Sequence, residues 1–231
     1  MAENMLDPHR FSRVWIAGQK GTPGADSTAI ALEDHEFEIT GTASSDDDVT
    51  YDDDHGLVLA TDGNGADQVI VGPQTAGDDA SIFREYSWSP ENETEFECVI
   101  RTGAWANSVI FVAGWNLTMP ATWVAGDDND RICFYAVQGT ANWQCVVNIG
   151  GTDHLGNSGV IVVASTVYHL AIRFDSDRRP SFYINDRLVY VGPPCTAGTA
   201  LLPWVMVEEA TAASKTLHVR SIACARNWGV N

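Results

Sequence analysis

The feature that most constrains the fold is a strict alternation of apolar and polar side chains over short segments. In residues 168–174 the large apolar side chains are Tyr168, Leu170, Ile172 and Phe174, one at every second position. A period of two places alternate side chains on opposite faces of a β-strand. No stretch of a dozen residues has convincing helical periodicity. We therefore predict an all-β protein.

The predicted strands follow one another at short spacing, separated by Gly, Asp and Asn turns, as in a sandwich or barrel. They cover residues 36–39, 56–60, 95–100, 108–113, 131–137, 142–149, 159–164, 168–174, 181–184, 187–191, 204–207 and 216–223. Asn185 and Asp186 separate two of these segments, which predicts a two-residue hairpin turn. Trp143 and Trp204 lie within predicted strands, so we expect both in the core.

The chain divides into an N-terminal arm, residues 1–30, and one β-sandwich domain, residues 31–231. Residues 19–27 are rich in Gly, Pro and polar residues and form the linker between them. The arm carries an apolar patch, for which we predict a partner-binding role, made of Phe11, Val14, Trp15 and Ile16. The alternative is that the patch packs on the main domain as a strand or turn.

Charge limits the classes of partner. The chain has 13 Lys and Arg against 31 Asp and Glu, for a net charge of −18, which repels nucleic-acid phosphates and anionic membranes. The N-terminus has neither the basic nor the apolar region of a signal peptide, and no segment is long and apolar enough to span a membrane. The five cysteines form no Cys-x-x-Cys pair, so we expect them to be reduced, with a disulfide as the alternative.

One stretch resembles a known fold family. Residues 167–192 contain the alternating strand that ends at Asp175, a polar turn, the segment Phe182-Tyr-Ile-Asn-Asp186 and a further strand up to Gly192. This order resembles the hairpin of concanavalin A-like and laminin-G-like domains, although Asp186 stands where those domains usually have Gly. The resemblance spans roughly residues 90–225. It implies a two-sheet antiparallel jelly-roll sandwich, here with an extended N-terminal arm.

Residues 114–118, 126–130 and 142–151 also resemble segments of tailed-bacteriophage virion structural proteins. This resemblance implies a capsid decoration or cement protein, made in the host cytoplasm, that binds the shell or copies of itself by surface burial. The alternative is a carbohydrate-binding, receptor-binding module of a phage tail or fibre. A glycan hydrolase is the third hypothesis, because the same sandwich also hosts such enzymes.

Three tryptophans near predicted loop ends are candidates for contact with a glycan or a protein partner: Trp105, Trp115 and Trp123. An exposed indole ring can stack on a sugar. Aromatic side chains fill cores and protein interfaces as readily, and this is the alternative interpretation.

Catalysis is not expected. A glycan hydrolase needs two carboxyl groups across one groove. Glu36 with Glu38, and Glu95 with Glu97, have the spacing of one strand face, but neither pair has the Glu-x-Asp-x-x-Glu pattern of sandwich-type glucanases. The outward face of an antiparallel sheet is usually polar and wet, so we expect both pairs to be solvent-exposed. There is also no Gly-x-Ser-x-Gly motif.

No cofactor is required by the sequence, but calcium is the ion that best suits two turns rich in oxygen ligands. The candidate ligands are Asp62, Asn64 and Asp67 in one turn and Asp127, Asp128 and Asp130 in the other. Ordinary solvated turns are the alternative, since Asp and Asn favour turns. No His or Cys spacing fits a zinc site. The aspartates of residues 46–54 predict a solvated, mobile acidic loop.

Overall fold

The computed structural model describes residues 10–16, 30–31, 37–42, 48–52, 54–73, 88–105, 109–118, 130–211 and 213–227. Within these ranges lie a 3-10 helix, Pro90–Asn92, and sixteen strands: β1 Arg10–Ile16, β2 Ile30–Ala31, β3 Phe37–Thr40, β4 Val49–Asp52, β5 Gly56–Ala60, β6 Gln68–Pro73, β7 Glu95–Thr102, β8 Val109–Asn116, β9 Arg131–Val137, β10 Asn142–Ile149, β11 Thr152–Ile161, β12 Val167–Phe174, β13 Pro180–Ile184, β14 Arg187–Val191, β15 Leu202–Glu209 and β16 Thr216–Asn227. Among the described residues, no helix has the length and hydropathy needed to cross a membrane.

The strands form two antiparallel sheets. Sheet A has the order β14-β13-β12-β7-β16-β5-β4, and β1 also pairs with β16. Sheet B has the order β11-β10-β9-β8-β15-β6-β3-β2. Strands distant in sequence are neighbours in both sheets, since β7 pairs with β16 and β8 with β15. This arrangement confirms the predicted two-sheet jelly-roll sandwich.

Edge-to-face aromatic pairs join the two sheets through the core. The pairs, each with one ring from sheet B and one from sheet A, are Trp115–Phe96, Phe134–Phe182 and Trp143–Tyr168, with centroid separations of 5.7, 5.2 and 5.4 Å. All six side chains are at most 3% exposed. Such contacts add to the free energy of burying the rings. The predicted core position of Trp143 is therefore confirmed.

A second apolar cluster lies on the outer face of sheet B. Its members are at most 7% exposed and come from β6, β8, β9, β10 and β15: Ile70, Ile110, Val112, Cys133, Val146, Trp204 and Met206. An antiparallel sheet commonly has one wet face, but the centre of this face is buried. Trp204 is buried as predicted, in this outer cluster rather than between the sheets. A ligand therefore has no access to the centre of sheet B.

The β13–β14 hairpin has the predicted two-residue turn. Asn185 and Asp186 have φ values of 50° and 64°, as a type I′ turn requires at both central positions. The side chain of Asn185 also accepts a hydrogen bond of 3.0 Å from the backbone N–H of His169. Asp186 can replace the usual glycine because Asp tolerates the left-handed region better than most residues.

The predicted acidic loop at residues 46–54 is wrong in its central part. Val49–Asp52 forms strand β4, in which Val49 pairs with Leu59 of β5. Val49 is 3% exposed and Leu59 is fully buried, so apolar burial holds this segment in the sheet despite its acidic neighbours. Asp48, at the start of the strand, is itself only 3% exposed.

The five cysteines are all free and buried. Burial raises the pKa of the Cys133 and Cys195 thiols to about 12, so these two side chains are protonated at neutral pH. They behave as small apolar core residues, which agrees with the expectation of a reduced chain.

Substitution of two glycines, Gly114 and Gly139, distinguishes the effect of a steric clash from that of backbone strain. Gly114 has φ +153°, and a Cβ there would lie 2.5 Å from the carbonyl oxygen of Ile132, whereas Gly139 has φ +115° and open space around it. We expect Gly114→Ala to destabilise the fold by about 2 to 4 kcal/mol and Gly139→Ala by about 1 kcal/mol, because only the first adds overpacking to strain. Thermal unfolding followed by circular dichroism measures both, and equal melting temperatures for the two variants would contradict this account.

Candidate functional site

The structure corrects the prediction for Trp115. Its side chain is fully buried between the sheets, in contact with Phe96 and with Trp88 at 6.1 Å between ring centroids, so it offers no face to a ligand. The cause is strand parity, because Trp115 occupies an inward position of β8. Trp105 is half-buried and stacks on Phe111, with centroids 5.6 Å apart. Trp123 lies outside the described residues.

The apolar patch of the N-terminal arm belongs in part to the sandwich. Strand β1 pairs with β16 from Arg10 opposite Asn227 to Ile16 opposite Ser221. Phe11 packs on the core and its ring lies 6.0 Å from that of Trp88, which favours the alternative, packing on the main domain, for this residue. Val14 is 43% exposed. The side chains of Trp15 and Ile16 lie outside the described part of the structure.

The predicted calcium ligands are only partly described. In the first turn, a carboxylate oxygen of Asp67 accepts the backbone N–H of Asn64 at 3.1 Å, and Asp67 is only 5% exposed. This carboxylate holds the turn together, and Asp62 is exposed on the same loop. In the second turn, Asp130 accepts the backbone N–H of Gly150 at 2.7 Å, while Asp127 and Asp128 lie outside the described residues. Calcium binding therefore stays a prediction.

The described members of the two predicted carboxylate pairs lie in different sheets and differ in their surroundings. Glu38, on β3, is 2% exposed, which corrects the expectation that it faces solvent. Glu36 lies outside the described residues. Glu95 and Glu97 lie on the outer face of sheet A, where both carboxylates pair with Arg173 at 3.9 and 2.9 Å.

Glu97 is held in its ionised form. The hydrogen bond to His169, followed by that to Arg173, lowers the pKa of Glu97 to about 2 despite partial burial. The same contact with Glu97, aided by the nearby Asp186, raises the pKa of His169. A carboxyl group this acidic holds no proton at neutral pH, so Glu97 cannot act as the general acid of a glycan hydrolase.

A row of polar side chains crosses one end of sheet B. Asn116 of β8 lies opposite Arg131 of β9, Arg131 opposite Asn148 of β10, and Asn148 opposite Asp153 of β11. We call these four residues the polar row. Three strand spacings of about 4.8 Å give it a length of roughly 14 Å. The four residues share one outer face, next to the covered apolar cluster. Asn116, Arg131 and Asn148 are at most 5% exposed, so only the Asp153 end of the row faces solvent.

Hydrogen bonds order the polar row. One carboxylate oxygen of Asp153 accepts from Asn148 at 2.8 Å and from Arg131 at 3.4 Å. The amide oxygen of Asn148 in turn accepts the backbone N–H of Gly151 at 3.2 Å. The side chain of Asp153 is 41% exposed, so its carboxylate is accessible and retains capacity to accept further hydrogen bonds.

Asn116 has an unmet hydrogen-bonding requirement. Its amide nitrogen donates to the carbonyl of Thr118 at 2.9 Å, but its amide oxygen is buried and has no hydrogen-bond partner among the described residues. An acceptor left in this state costs about 1 to 3 kcal/mol, which a donor from a bound molecule would recover. Behind the row, Asp130, Asn148, Thr196 and Thr199 border a cavity with room for about one water molecule.

The polar row provides carboxylate, guanidinium and amide groups at fixed positions on a rigid sheet. Planar groups of this kind can donate to and accept from neighbouring hydroxyls of one ligand. The sequence indicated only Asp130, which adjoins the row. All four residues of the row were missed, although outward parity at the facing ends of β9 and β10 is a signal that could have found Arg131 and Asn148.

A second cluster lies on the outer face of sheet A. Within the described ranges, Asp52, His55 and His218 place one potential metal ligand atom each within 4.8 Å of one another. A hydrogen bond from the Asp54 N–H, then one from His55, lowers the pKa of Asp52. Burial, followed by the charge of Arg101, lowers the pKa of His218, so its imidazole is neutral at neutral pH.

Comparison with known proteins establishes the fold. No protein-family model and no curated protein matches the sequence. A protein of unknown function from Shewanella oneidensis MR-1 superposes with a TM-score of 0.62 at 11% identity, covering 94% of this chain and 87% of that one. Rv0315 of Mycobacterium tuberculosis, described as an immunostimulatory antigen and pseudo β-1,3-glucanase, gives 0.62 at 11% identity, with coverages of 92% and 98%.

The potassium-bound carbohydrate recognition domain of Emp46p gives a TM-score of 0.57 at 7% identity, covering 85% of this chain and 90% of that domain. At such low identities, these similarities show a shared fold alone. Together with the two antiparallel sheets, they support a concanavalin A-like jelly-roll sandwich, as the sequence resemblance implies.

The Glu97 network makes a pH-dependent contribution to stability. A lowered carboxyl pKa stabilises the folded state above the unfolded value of 4.5 and loses this effect as pH falls towards 2. The raised pKa of His169 stabilises below its unfolded value of 6.5 and loses this effect as pH rises through the folded value. The window of greatest stabilisation thus lies between about pH 4.5 and 6.5.

We expect Glu97→Gln to reduce the free energy of unfolding by about 2 kcal/mol in that window, after allowance for partial exposure. The difference from the wild type should shrink at pH 3. Urea unfolding at pH 3, 5.5 and 8.5 measures it, with Asp177→Asn in an exposed turn as the control. A difference that does not vary with pH would show that Glu97 acts through packing alone.

Proposed function

We propose that this domain binds a neutral carbohydrate at the polar row and does not cleave it. The observation that carries the proposal is the ordered set of planar polar side chains, Asn116 to Asp153, which leads from the buried outer face of sheet B to the exposed carboxylate of Asp153 on its edge strand. Asn116 presents an unpaired buried acceptor and Asp153 an accessible carboxylate. Sugar hydroxyls can both donate and accept, so they suit such a mixture of groups.

Charge favours a neutral ligand. The net charge of −18 repels acidic glycans, and in the polar row Arg131 is already paired with Asp153. The fold supports the same class of ligand, because one structural neighbour is described as a carbohydrate recognition domain and another as a pseudo β-1,3-glucanase. These neighbours favour carbohydrate binding over the capsid-decoration role implied by the sequence resemblance.

The absence of catalysis is part of the proposal. Of the carboxyl groups that the sequence offered for hydrolysis, Glu97 is ionised and paired, and Glu38 is buried in sheet B. The centre of sheet B, where a groove across the strands would lie, is covered by the apolar cluster around Trp204. These features favour binding without bond cleavage.

Two substitutions test the binding site. We expect Asp153→Ala to weaken binding by at least about tenfold, since it removes an accessible acceptor worth more than about 1.4 kcal/mol to a ligand hydroxyl. Asn116→Leu removes the unsatisfied acceptor together with the hydrogen bond to the Thr118 carbonyl, so we expect it to weaken binding with little change in the melting temperature. A panel of neutral and acidic glycans identifies the ligand, and calorimetry measures the affinity of each variant.

Asp177→Ala, in an exposed turn of sheet A, is the matched control and should bind as the wild type does. Binding that survives both Asp153→Ala and Asn116→Leu would place the site elsewhere. Failure to bind any neutral glycan at millimolar concentration would reject the function itself. Chromatography of the bound glycan after prolonged incubation checks for cleavage, and released product would contradict the non-catalytic part of the proposal.

A further inference from the structure

Sheet A brings together three metal-ligating side chains that are far apart in sequence. Asp52 ends β4, His55 lies in the turn before β5, and His218 lies on β16, directly opposite Val58 of β5. The turn is fixed by hydrogen bonds, since Asp52 accepts the backbone N–H of both Asp54 and His55, at 2.8 and 3.0 Å. The backbone therefore holds the three side chains side by side without any ligand.

The distances suit one small ion. A carboxylate oxygen of Asp52 lies 3.0 Å from Nδ1 of His55, and the rings of His55 and His218 are 5.3 Å apart between centroids. Two ligands on a tetrahedral zinc ion, each about 2.0 to 2.1 Å from the metal, are about 3.3 Å from one another. The three donor atoms lie within 4.8 Å of one another, so they would have to move closer together to reach that separation on a bound ion.

The two ring nitrogens of His218 have different surroundings. Nδ1 of His218 is shielded from water and has no hydrogen-bond partner in the described part of the chain. Its other ring nitrogen, Nε2, lies 3.4 Å from the guanidinium of Arg101. Arg101 can only donate, so Nδ1 carries the proton of the neutral ring, and a metal ion binds Nδ1 only when that proton moves to Nε2 and the contact with Arg101 is given up. The side chains of Asp52 and His55 are 39% and 31% exposed, so an ion can reach the cluster from solvent.

We propose that Asp52, His55 and His218 bind one transition-metal dication, with zinc the best suited. Two imidazoles and one carboxylate form the donor set of zinc-class ions, whereas calcium takes six to eight oxygen ligands. Three protein ligands leave one position of a tetrahedral ion for water. The site lies on sheet A and is independent of the polar row, so either proposal can fail without the other.

The contact of Arg101 with His218 lowers the expected affinity for a metal ion. A metal ion on Nδ1 makes Nε2 of His218 an N–H donor, which can no longer accept a hydrogen bond from the guanidinium. The positive charge of Arg101 also repels a dication at this distance. Replacing Arg101 by an uncharged side chain of similar length should therefore strengthen binding, an effect that an adventitious surface site would not show.

The experiment uses the full chain stripped of metal, with Co²⁺ followed by visible absorption and Zn²⁺ by calorimetry. We expect one tight site, an affinity reduced more than about tenfold in Asp52→Asn and His218→Ala, and a higher affinity in Arg101→Met. His154→Ala, an exposed histidine on β11, is the matched control and should leave binding unchanged. Circular dichroism verifies that each variant folds.

Equal Zn²⁺ affinity in the wild type and Asp52→Asn would overturn the proposal, as would weaker binding in Arg101→Met. Absorption of bound Co²⁺ without the intensity of a tetrahedral nitrogen-containing site would also overturn it. If His218→Ala does not fold, Asp52→Asn still decides, because Asp52 is partly exposed at a surface turn.

Discussion

The contact between the two sheets determines where every polar side chain of this domain can lie. Trp115, Phe134 and Trp143 point inward to meet aromatic rings of sheet A. Side chains alternate along a strand, so this inward set turns Asn116, Arg131 and Asn148 outward. A slip of one residue in any of these strands would bury a polar residue and expose an aromatic one. The polar row is thus a consequence of how the core packs.

The sequence predicted those elements whose alternation is clean. The β12–β13–β14 segment, including its Asn185–Asp186 turn, agrees with the structure because burial on one face and turn geometry favour the same register. Strand β11 begins at Thr152, before the start of the predicted segment at residue 159. Its first residues, Thr152 to Leu155, are all exposed at the edge of sheet B, so they lack the apolar alternation that marks a strand. Strand β4 was missed because one buried valine anchors a segment whose neighbours are acidic.

The candidate sites were harder to predict because they form between strands. A search along the chain detects residues close in sequence, yet three strand pairings bring Asn116 and Asp153 into one row, and sheet A brings His55 close to His218. Trp115 was assigned to the surface because the end of its strand was predicted too early. Its segment was predicted to end at residue 113, but β8 continues to Asn116, and the added length gives Trp115 an inward position. Loop-end tryptophans cannot be assigned to a surface until strand ends are known.

Charge acts locally on both sites, despite the net value of −18. At physiological ionic strength, electrostatic interactions between exposed charges fade over about 8 Å, so only near neighbours matter. In the polar row one arginine faces Asp153, with Asp130 adjacent. Around Asp52, the acidic Asp54 is offset by Arg220, which donates to its carbonyl, and Arg101 faces His218. Long-range attraction therefore does little for a dication there. Selectivity for one metal ion over another must therefore come from the ligands themselves, two imidazoles and a carboxylate that the sheet holds close together. Such a donor set distinguishes metal ions by their preferred ligand type and geometry and not by their charge.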